Sequence, residues 1–226
     1  HHREDQIKKV AGILAPALRV EKPSNMFIYG KTGSGKTVTV QHVSESMMQI
    51  AEKNKLPVKI FYLNCKLKRV ADTEYRLIAE LARFLHKEIP TTGLPTDQVY
   101  KMFLDVLEKE NILMVLVLDE IDQLVARSGD QILYSLTRVN SELKQSQISL
   151  IGISNDLMFT NYLDPRVKSS LSEEELVFAP YNAIQLQAIL KERSVKAFRK
   201  GVVADGVLEK CAAYAAREHG DARRAL

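Results

Sequence analysis

Only two cysteines occur in the 226 residues, Cys65 and Cys211, far apart and without the spacing of a metal-ligand set. Their scarcity excludes a disulfide scaffold and a cysteine metal centre, and we expect both to be buried thiols in a reducing compartment. No apolar run approaches the ~18 residues needed to cross a bilayer, and no secretory pattern opens the chain. A membrane partner is therefore not expected, and a cytoplasmic location is. Internal repeats and low-complexity tracts are also missing. Charge of one sign is not in large excess: 32 Lys and Arg against 28 Asp and Glu give a net +4, which permits a nucleic-acid partner without establishing one. What remains is an ordinary globular balance, 46% hydrophobic and 27% charged, long enough for one sizeable α/β domain and a small second one. The chain opens on His1-His2 rather than Met and stops just after Gly220-Asp221-Ala222-Arg223-Arg224 starts a helix, so we expect a piece of a longer protein.

The strongest positive signal is Gly30-Lys31-Thr32-Gly33-Ser34-Gly35-Lys36-Thr37, which fits the phosphate-loop pattern G-x-x-x-x-G-K-[ST]. Its context fits as well, with an apolar strand over 26–29 before it and a helical pattern over 38–51 after it. Three glycines let successive backbone N–H groups curl around a polyphosphate without Cβ clashes, at a helix N-terminus whose dipole favours anions. Lys36 is spaced to reach the outer phosphates and the Thr37 hydroxyl to ligate Mg²⁺. ATP or ADP with Mg²⁺ is the expected cofactor.

Further β-rich runs follow at 58–63, 112–118, 148–153 and 176–178. The third strand of the chain, Ile-Leu-Met-Val-Leu-Val-Leu, is apolar throughout, as a central strand covered on both faces must be. Tyr75, Ile78, Leu81, Ala82 and Leu85 recur at helical spacing, as do Val99, Phe103, Val106 and Leu107 behind a Thr96 cap. Strands alternating with helices predict a mostly parallel five-stranded α/β sheet flanked by helices. Strand signals stop after Pro180. Asn182 with Gln185 resembles a capping box opening a helix through Lys200, and an Ala-rich helix over 204–219 ends at Gly220. We therefore expect an α/β domain over 1–180 and an incomplete helical lid over 181–226.

Chemistry collects at the strand ends. Leu118-Asp119-Glu120-Ile121-Asp122 closes the third strand, and a carboxylate at that edge faces the ligand crevice in such folds. Asp119 suits Mg²⁺ binding, directly or through water. Glu120 suits polarising the attacking water as a general base; Asp122 reads as a structural cap. Asn155, after the fourth strand, is either a water-orienting amide or a turn residue. Arg166, on the turn Leu163-Asp164-Pro165-Arg166-Val167, is either a cation acting in trans on a neighbour's nucleotide or a surface ion-pair partner.

Taken in order, the phosphate loop, Asp119-Glu120, Asn155, Arg166 and Gly220-Asp221-Ala222-Arg223 resemble an AAA+ ATPase in every section: Walker A, Walker B, sensor 1, arginine finger and sensor 2. The segments His2-Arg3-Glu4-Asp5-Gln6-Ile7, Pro180-Tyr181-Asn182-Ala183 and Glu218-His219-Gly220-Asp221-Ala222-Arg223-Arg224-Ala225-Leu226 are similar to those of the archaeal origin-recognition replication initiators. The resemblance spans essentially the whole chain. It implies that Arg223 reaches from the lid to the phosphates, that Tyr181 and Arg193 contact the nucleotide, and that the amphipathic stretch up to Ala17, with Ile7, Val10 and Ile13, packs near adenine. It also implies a winged-helix domain absent from this sequence.

The segment 65–95 carries Lys66, Lys68, Arg69, Arg76, Arg83 and Lys87. Read from charge alone, it is either a phosphate-contacting surface or a solvated face balanced by Asp72, Glu74, Glu80 and Glu88. In the resembling family this region holds an extra helix that touches origin DNA. The expected function is an ATP-binding, slowly hydrolysing replication initiator that recognises double-stranded origin DNA. It would associate with other initiator subunits, help load the replicative helicase, and be nucleoid-associated. The alternatives are a signalling or regulatory ATPase acting on protein partners only, and a nucleotide-holding scaffold with negligible turnover.

Overall fold

The computed structural model describes residues 2–66, 73–90 and 93–226; Lys68, Arg69 and Asp72 of the basic segment lie outside them. Five strands form one parallel sheet: β1 Met26–Tyr29, β2 Val58–Asn64, β3 Leu113–Asp119, β4 Gln147–Ser154 and β5 Glu174–Val177, in the spatial order β2-β3-β4-β1-β5. β3 and β4 are buried along almost their whole length, because helices cover both faces and neither side of the pleat meets water.

The alternation of side chains splits the core into two layers. Met114, Leu116 and Leu118 point to the face covered by α3 (Glu74–Phe84), α4 (Thr96–Glu110), α5 (Ile121–Ser128), α6 (Gln131–Arg138) and α7 (Pro165–Leu171). Val115 and Val117, with Met26, Ile28, Ile151 and Ile153, point to the face covered by α1 (Glu4–Leu14) and α2 (Lys36–Lys53). The connection between β2 and β3 is long because it holds two helices, α3 and α4. After β5 come α8 (Ala183–Ala197), α9 (Val207–Glu218) and the short α10 (Ala222–Ala225), packed on a small core of Tyr181, Leu186, Leu190, Ala212 and Ala215.

Several local expectations change. Thr96 is the first residue of α4 rather than its cap; Pro95 holds the cap position and no side chain caps the end. α8 stops at Ala197, where Phe198 turns to extended backbone, instead of continuing to Lys200. α9 starts at Val207 behind a left-handed Gly206. Cys65 is buried, as expected, whereas Cys211 is exposed, because the inward positions of α9 belong to Ala212 and Ala215. The Asn182–Gln185 capping box is present in both of its hydrogen bonds. Among the described residues no helix is long and apolar enough to cross a membrane.

Parallel pairing has one consequence for chemistry. β4 lies between β1 and β3, so the loop after β1, the carboxylates ending β3 and the residue after β4 all emerge at the same sheet edge.

Candidate nucleotide site

At that edge a cleft of about 570 Å³ opens between the loop after β1, the ends of β3 and β4, the N-terminal arm and the lid, a size suited to a small-molecule ligand. Lys36, the first residue of α2, is only 4% exposed. Its Nζ donates to the carbonyls of Gly30 at 2.7 Å and Lys31 at 3.0 Å, and to Asn155 Oδ1 at 2.8 Å. Burial lowers its pKa from 10.5 to about 8; Asp119 opposes that shift and Arg223 adds to it. A half-desolvated ammonium held by neutral oxygens is a cation short of a full counter-charge, which is what a polyphosphate supplies.

Thr37 Oγ1 donates to Asp119 Oδ2 at 2.7 Å, and the Tyr62 hydroxyl donates to the same oxygen. Burial and that carboxylate push the Tyr62 hydroxyl pKa upward, so Tyr62 stays a donor. Glu120 stands in the left-handed region at φ 55, at the head of α5, with its side chain 22% exposed. Lys66 Nζ lies 3.6 Å from Glu120 Oε2. Strained non-glycine backbone of this kind concentrates at functional sites. Asp122 accepts from Ser154 Oγ at 2.8 Å and from Gln123 Nε2 at 2.9 Å. It ties α5 to the end of β4, a structural role though not a helix cap.

The lid meets the loop at its glycines. A Cβ on Gly33 (φ 73) would stand 1.6 Å from Asp221 Oδ1, and one on Gly35 (φ 91) 2.6 Å from the Tyr181 hydroxyl. Asp221 caps α10 by accepting from the Arg223 N–H at 2.8 Å. Tyr181, Arg193 and Arg223 all line the cleft, as do Thr32, Gly33, Gly35, Lys36, Thr37, Asp119, Glu120 and Asn155. Gly30, Lys31 and Ser34 complete the loop behind that wall. Lys31 is exposed; Ser34 is buried, and its Oγ has no hydrogen-bond partner among the described residues.

Arg166 is not in the cleft. It lies on α7 with its side chain 63% exposed, held by Asp164 through Nε at 3.0 Å and Nη2 at 2.9 Å and lying 4.8 Å from the Tyr134 ring centre. Those hydrogen bonds hold the Asp164 carboxyl down at about 2. Arg166 is thus a surface ion-pair partner of Asp164, apart from the cleft of its own chain. Sequence reasoning missed three participants. Tyr62 was hidden as one more β-rich residue, Lys66 was counted only among basic residues, and Arg3 carried no local signal beyond its segment's resemblance.

The donor set suits ATP with Mg²⁺: the glycine-rich loop, an under-neutralised Lys36, Arg193 and Arg223 on the lid side of the cleft, and a Thr37–Asp119 pair. The described residues contain no group of three or more metal-ligating His, Cys, Asp or Glu side chains. A hard divalent ion here would take most of its oxygens from phosphate and water, as Mg²⁺ does in phosphoryl-transfer sites.

Comparison with known proteins agrees with this geometry. A family model described as an AAA domain matches residues 19–157, and one described as a Cdc6 AAA+ ATPase-type lid domain matches residues 187–226. The ORC1-type DNA replication protein of Pyrococcus furiosus is 54% identical over 229 residues, covering 100% of this chain and 54% of that protein. The ORC1-type DNA replication protein 1 of Methanosarcina mazei is 50% identical over 225 residues, covering 100% and 53% respectively. The chain thus spans about half the length of the curated relatives it matches. Among solved structures, that of the Aeropyrum pernix ORC1 protein in complex with DNA superposes with a TM-score of 0.89 at 45% identity, over 99% of this chain and 57% of that one. The ADP form of the Aeropyrum pernix ORC2 protein gives 0.81 at 25% identity, over 100% and 61%. The chain belongs to the AAA+ ATPases, with a lid of the Cdc6 type and a sequence similar along its whole length to archaeal ORC1-type DNA replication proteins.

Proposed function

We propose that this chain is the nucleotide-switched ATPase portion of a DNA replication initiator, an α/β domain over 1–180 carrying a lid over 181–226. One observation carries the reading: Lys36 at the head of α2 after β1, Asp119 at the end of β3 and Asn155 after β4 converge at one sheet edge on a single cleft lined also by the lid residues Tyr181, Arg193 and Arg223. ATP, when bound, supplies the phosphoanhydride to be cleaved, and Mg²⁺ neutralises its charge.

The chain's own residues would divide the work. Loop amides from Gly30 to Thr37 and the Lys36 ammonium hold the phosphates, and Thr37 and Asp119 hold the metal. Glu120 takes the proton of the attacking water, while Asn155, already bonded to Lys36, reports the γ-phosphate to β4. Arg223 couples the lid to the nucleotide in cis. Arg166 acts on a neighbouring subunit's nucleotide in trans, so hydrolysis in the isolated chain should be slow, an arginine finger being worth ~10³–10⁵ in rate in related switches.

By family and by similarity to an ORC1 protein solved with DNA, the partners would be double-stranded origin DNA, other initiator subunits and the replicative helicase, in a nucleoid-associated setting. The test is fluorescence-anisotropy binding to duplex DNA with ATP and with ADP across a salt series, using this chain and a longer protein that contains it. Tight, salt-dependent binding that prefers particular duplexes and responds to the nucleotide supports the initiator reading. Binding no stronger than that of any basic protein, in both nucleotide states, refutes it in favour of an ATPase with protein partners only.

A further inference from the structure

Arg3 is a cation in an unusual position. It is only 5% exposed, and among the described residues no carboxylate pairs with it. A buried charge of this kind is costly unless its donors are satisfied, and the molecule satisfies them with two backbone carbonyls and two rings. Nε donates to the Ser34 carbonyl at 2.9 Å, inside the phosphate loop. Nη2 donates to the Ala179 carbonyl at 2.5 Å, in the link between β5 and α8. The guanidinium carbon lies 4.1 Å from the centre of the Tyr181 ring and 5.4 Å from that of Phe178, within the range of a favourable cation–π contact. Arg3 also heads α1, whose first turn begins with the Ile7 N–H bonded to the Arg3 carbonyl at 2.8 Å.

One side chain therefore joins three pieces that chain connectivity leaves separate: the N-terminal arm, the loop at Ser34, and the hinge Ala179-Pro180-Tyr181 from which the lid departs. The Tyr181 ring that it covers is the one whose hydroxyl crowds Gly35. Arg3 thus adds a side-chain fastening between lid and loop on the wall of the cleft, beside the backbone bond from the Ala222 N–H to the Gly33 carbonyl at 3.4 Å. Parting the Tyr181 ring from the phosphate loop would break either its stack on Arg3 or the Arg3 bond to Ser34.

We propose that Arg3 is a positioning residue that latches the lid hinge to the phosphate loop and so sets how long a nucleotide stays bound. This rests on the nucleotide-binding reading above. The planar guanidinium is needed because it donates in two directions while stacking on a ring, which an ammonium does not do. The latch acts mainly on release: entry occurs with the lid open and the latch already parted, whereas exit requires breaking it.

The test is stopped-flow release of a fluorescent ATP analogue from the wild-type chain, Arg3→Ala, Arg3→Lys, Tyr181→Leu and the Arg3→Ala/Tyr181→Leu double variant, with association rates measured in parallel. Arg3→Ala should release roughly tenfold faster, about 1.4 kcal/mol, with association nearly unchanged. Arg3→Lys should fall between it and wild type, and Tyr181→Leu should add less in the Arg3→Ala background than alone. Release unchanged in Arg3→Ala, or strictly additive single effects, overturns the latch. Should Arg3→Ala prove unfolded, Arg3→Lys and Tyr181→Leu decide: wild-type release in both also overturns it. A wild-type chain that binds no analogue fails earlier and refutes the nucleotide reading itself.

Discussion

Raising the pH should weaken this chain's hold on nucleotide while leaving it folded, and Lys36 is the reason. Its ammonium titrates near 8 instead of 10.5, chiefly because the loop and the strand ends desolvate it. A bound polyphosphate favours the charged form, so affinity should be full below about pH 7.5 and fall as pH rises through 8. At pH 9 roughly one chain in eleven still carries the charge before binding, and the dissociation constant should rise roughly tenfold between pH 7 and pH 9. Stability moves the other way. Because the folded pKa is depressed, the unfolded chain holds the proton more tightly between pH 8 and 10.5, and this group makes folding more favourable as pH climbs through that window. Loss of affinity therefore cannot be blamed on unfolding through Lys36. Titrating MgADP and MgATP calorimetrically at pH 7, 8 and 9, alongside Lys36→Arg, measures it; the Arg variant stays charged throughout and should show a flat profile. A wild-type dissociation constant constant from pH 7 to pH 9 would refute the reasoning.

Other consequences are equally direct. Gly33→Ala places a Cβ 1.6 Å from Asp221 Oδ1 at a φ of 73, adding about 1–2 kcal/mol of left-handed strain and displacing the cap of α10, worth about 1 kcal/mol. Amide hydrogen exchange over 221–226 should accelerate, and unchanged exchange would contradict the docking. Glu120→Gln should cut turnover by about 10²–10⁴ while ATP still binds. Lys66→Ala, which removes a long ion pair whose lysine end is exposed and which is worth under about 1 kcal/mol, should alter turnover by less than about fivefold; single-turnover assays separate the two. Leu116→Ala, in the fully buried centre of β3, should cost about 2–5 kcal/mol of stability in denaturant melts without changing the affinity of the folded fraction.

Much of the fold was legible because its signals are local or periodic. The uninterrupted apolar run that became β3, the Gly-rich loop between strand and helix, and the Asn182–Gln185 box each state their conformation within a few residues. So does Gly220, whose left-handed backbone follows the end of α9, whereas Gly206, inside the expected helix, in fact precedes its first turn. Outcomes set by tertiary partners were less legible. Whether Cys211 is buried depends on which side of α9 faces α8, and the Ala-rich helix leaves several faces equally plausible. Thr96 and Pro95 compete for one cap position, and Pro95 takes it with extended backbone while Thr96 begins the helix. The strand order, which inserts β4 between β1 and β3, brings Asn155 to Lys36, yet no spacing in the chain records it. The same holds for Arg3, 31 residues from Ser34 and 176 from Ala179, whose partners are backbone carbonyls and therefore leave no mark in the sequence.

The central claim is that the cleft above β1, β3 and β4 is a nucleoside triphosphate site closed by the lid. It is tested most directly by calorimetric titration of MgATP into the wild-type chain, Lys36→Ala and Arg223→Ala at pH 7. The account predicts one site per wild-type chain, loss of binding in Lys36→Ala, and weakened binding in Arg223→Ala with its melting temperature preserved. No binding to wild type, or equal binding in all three, would contradict it.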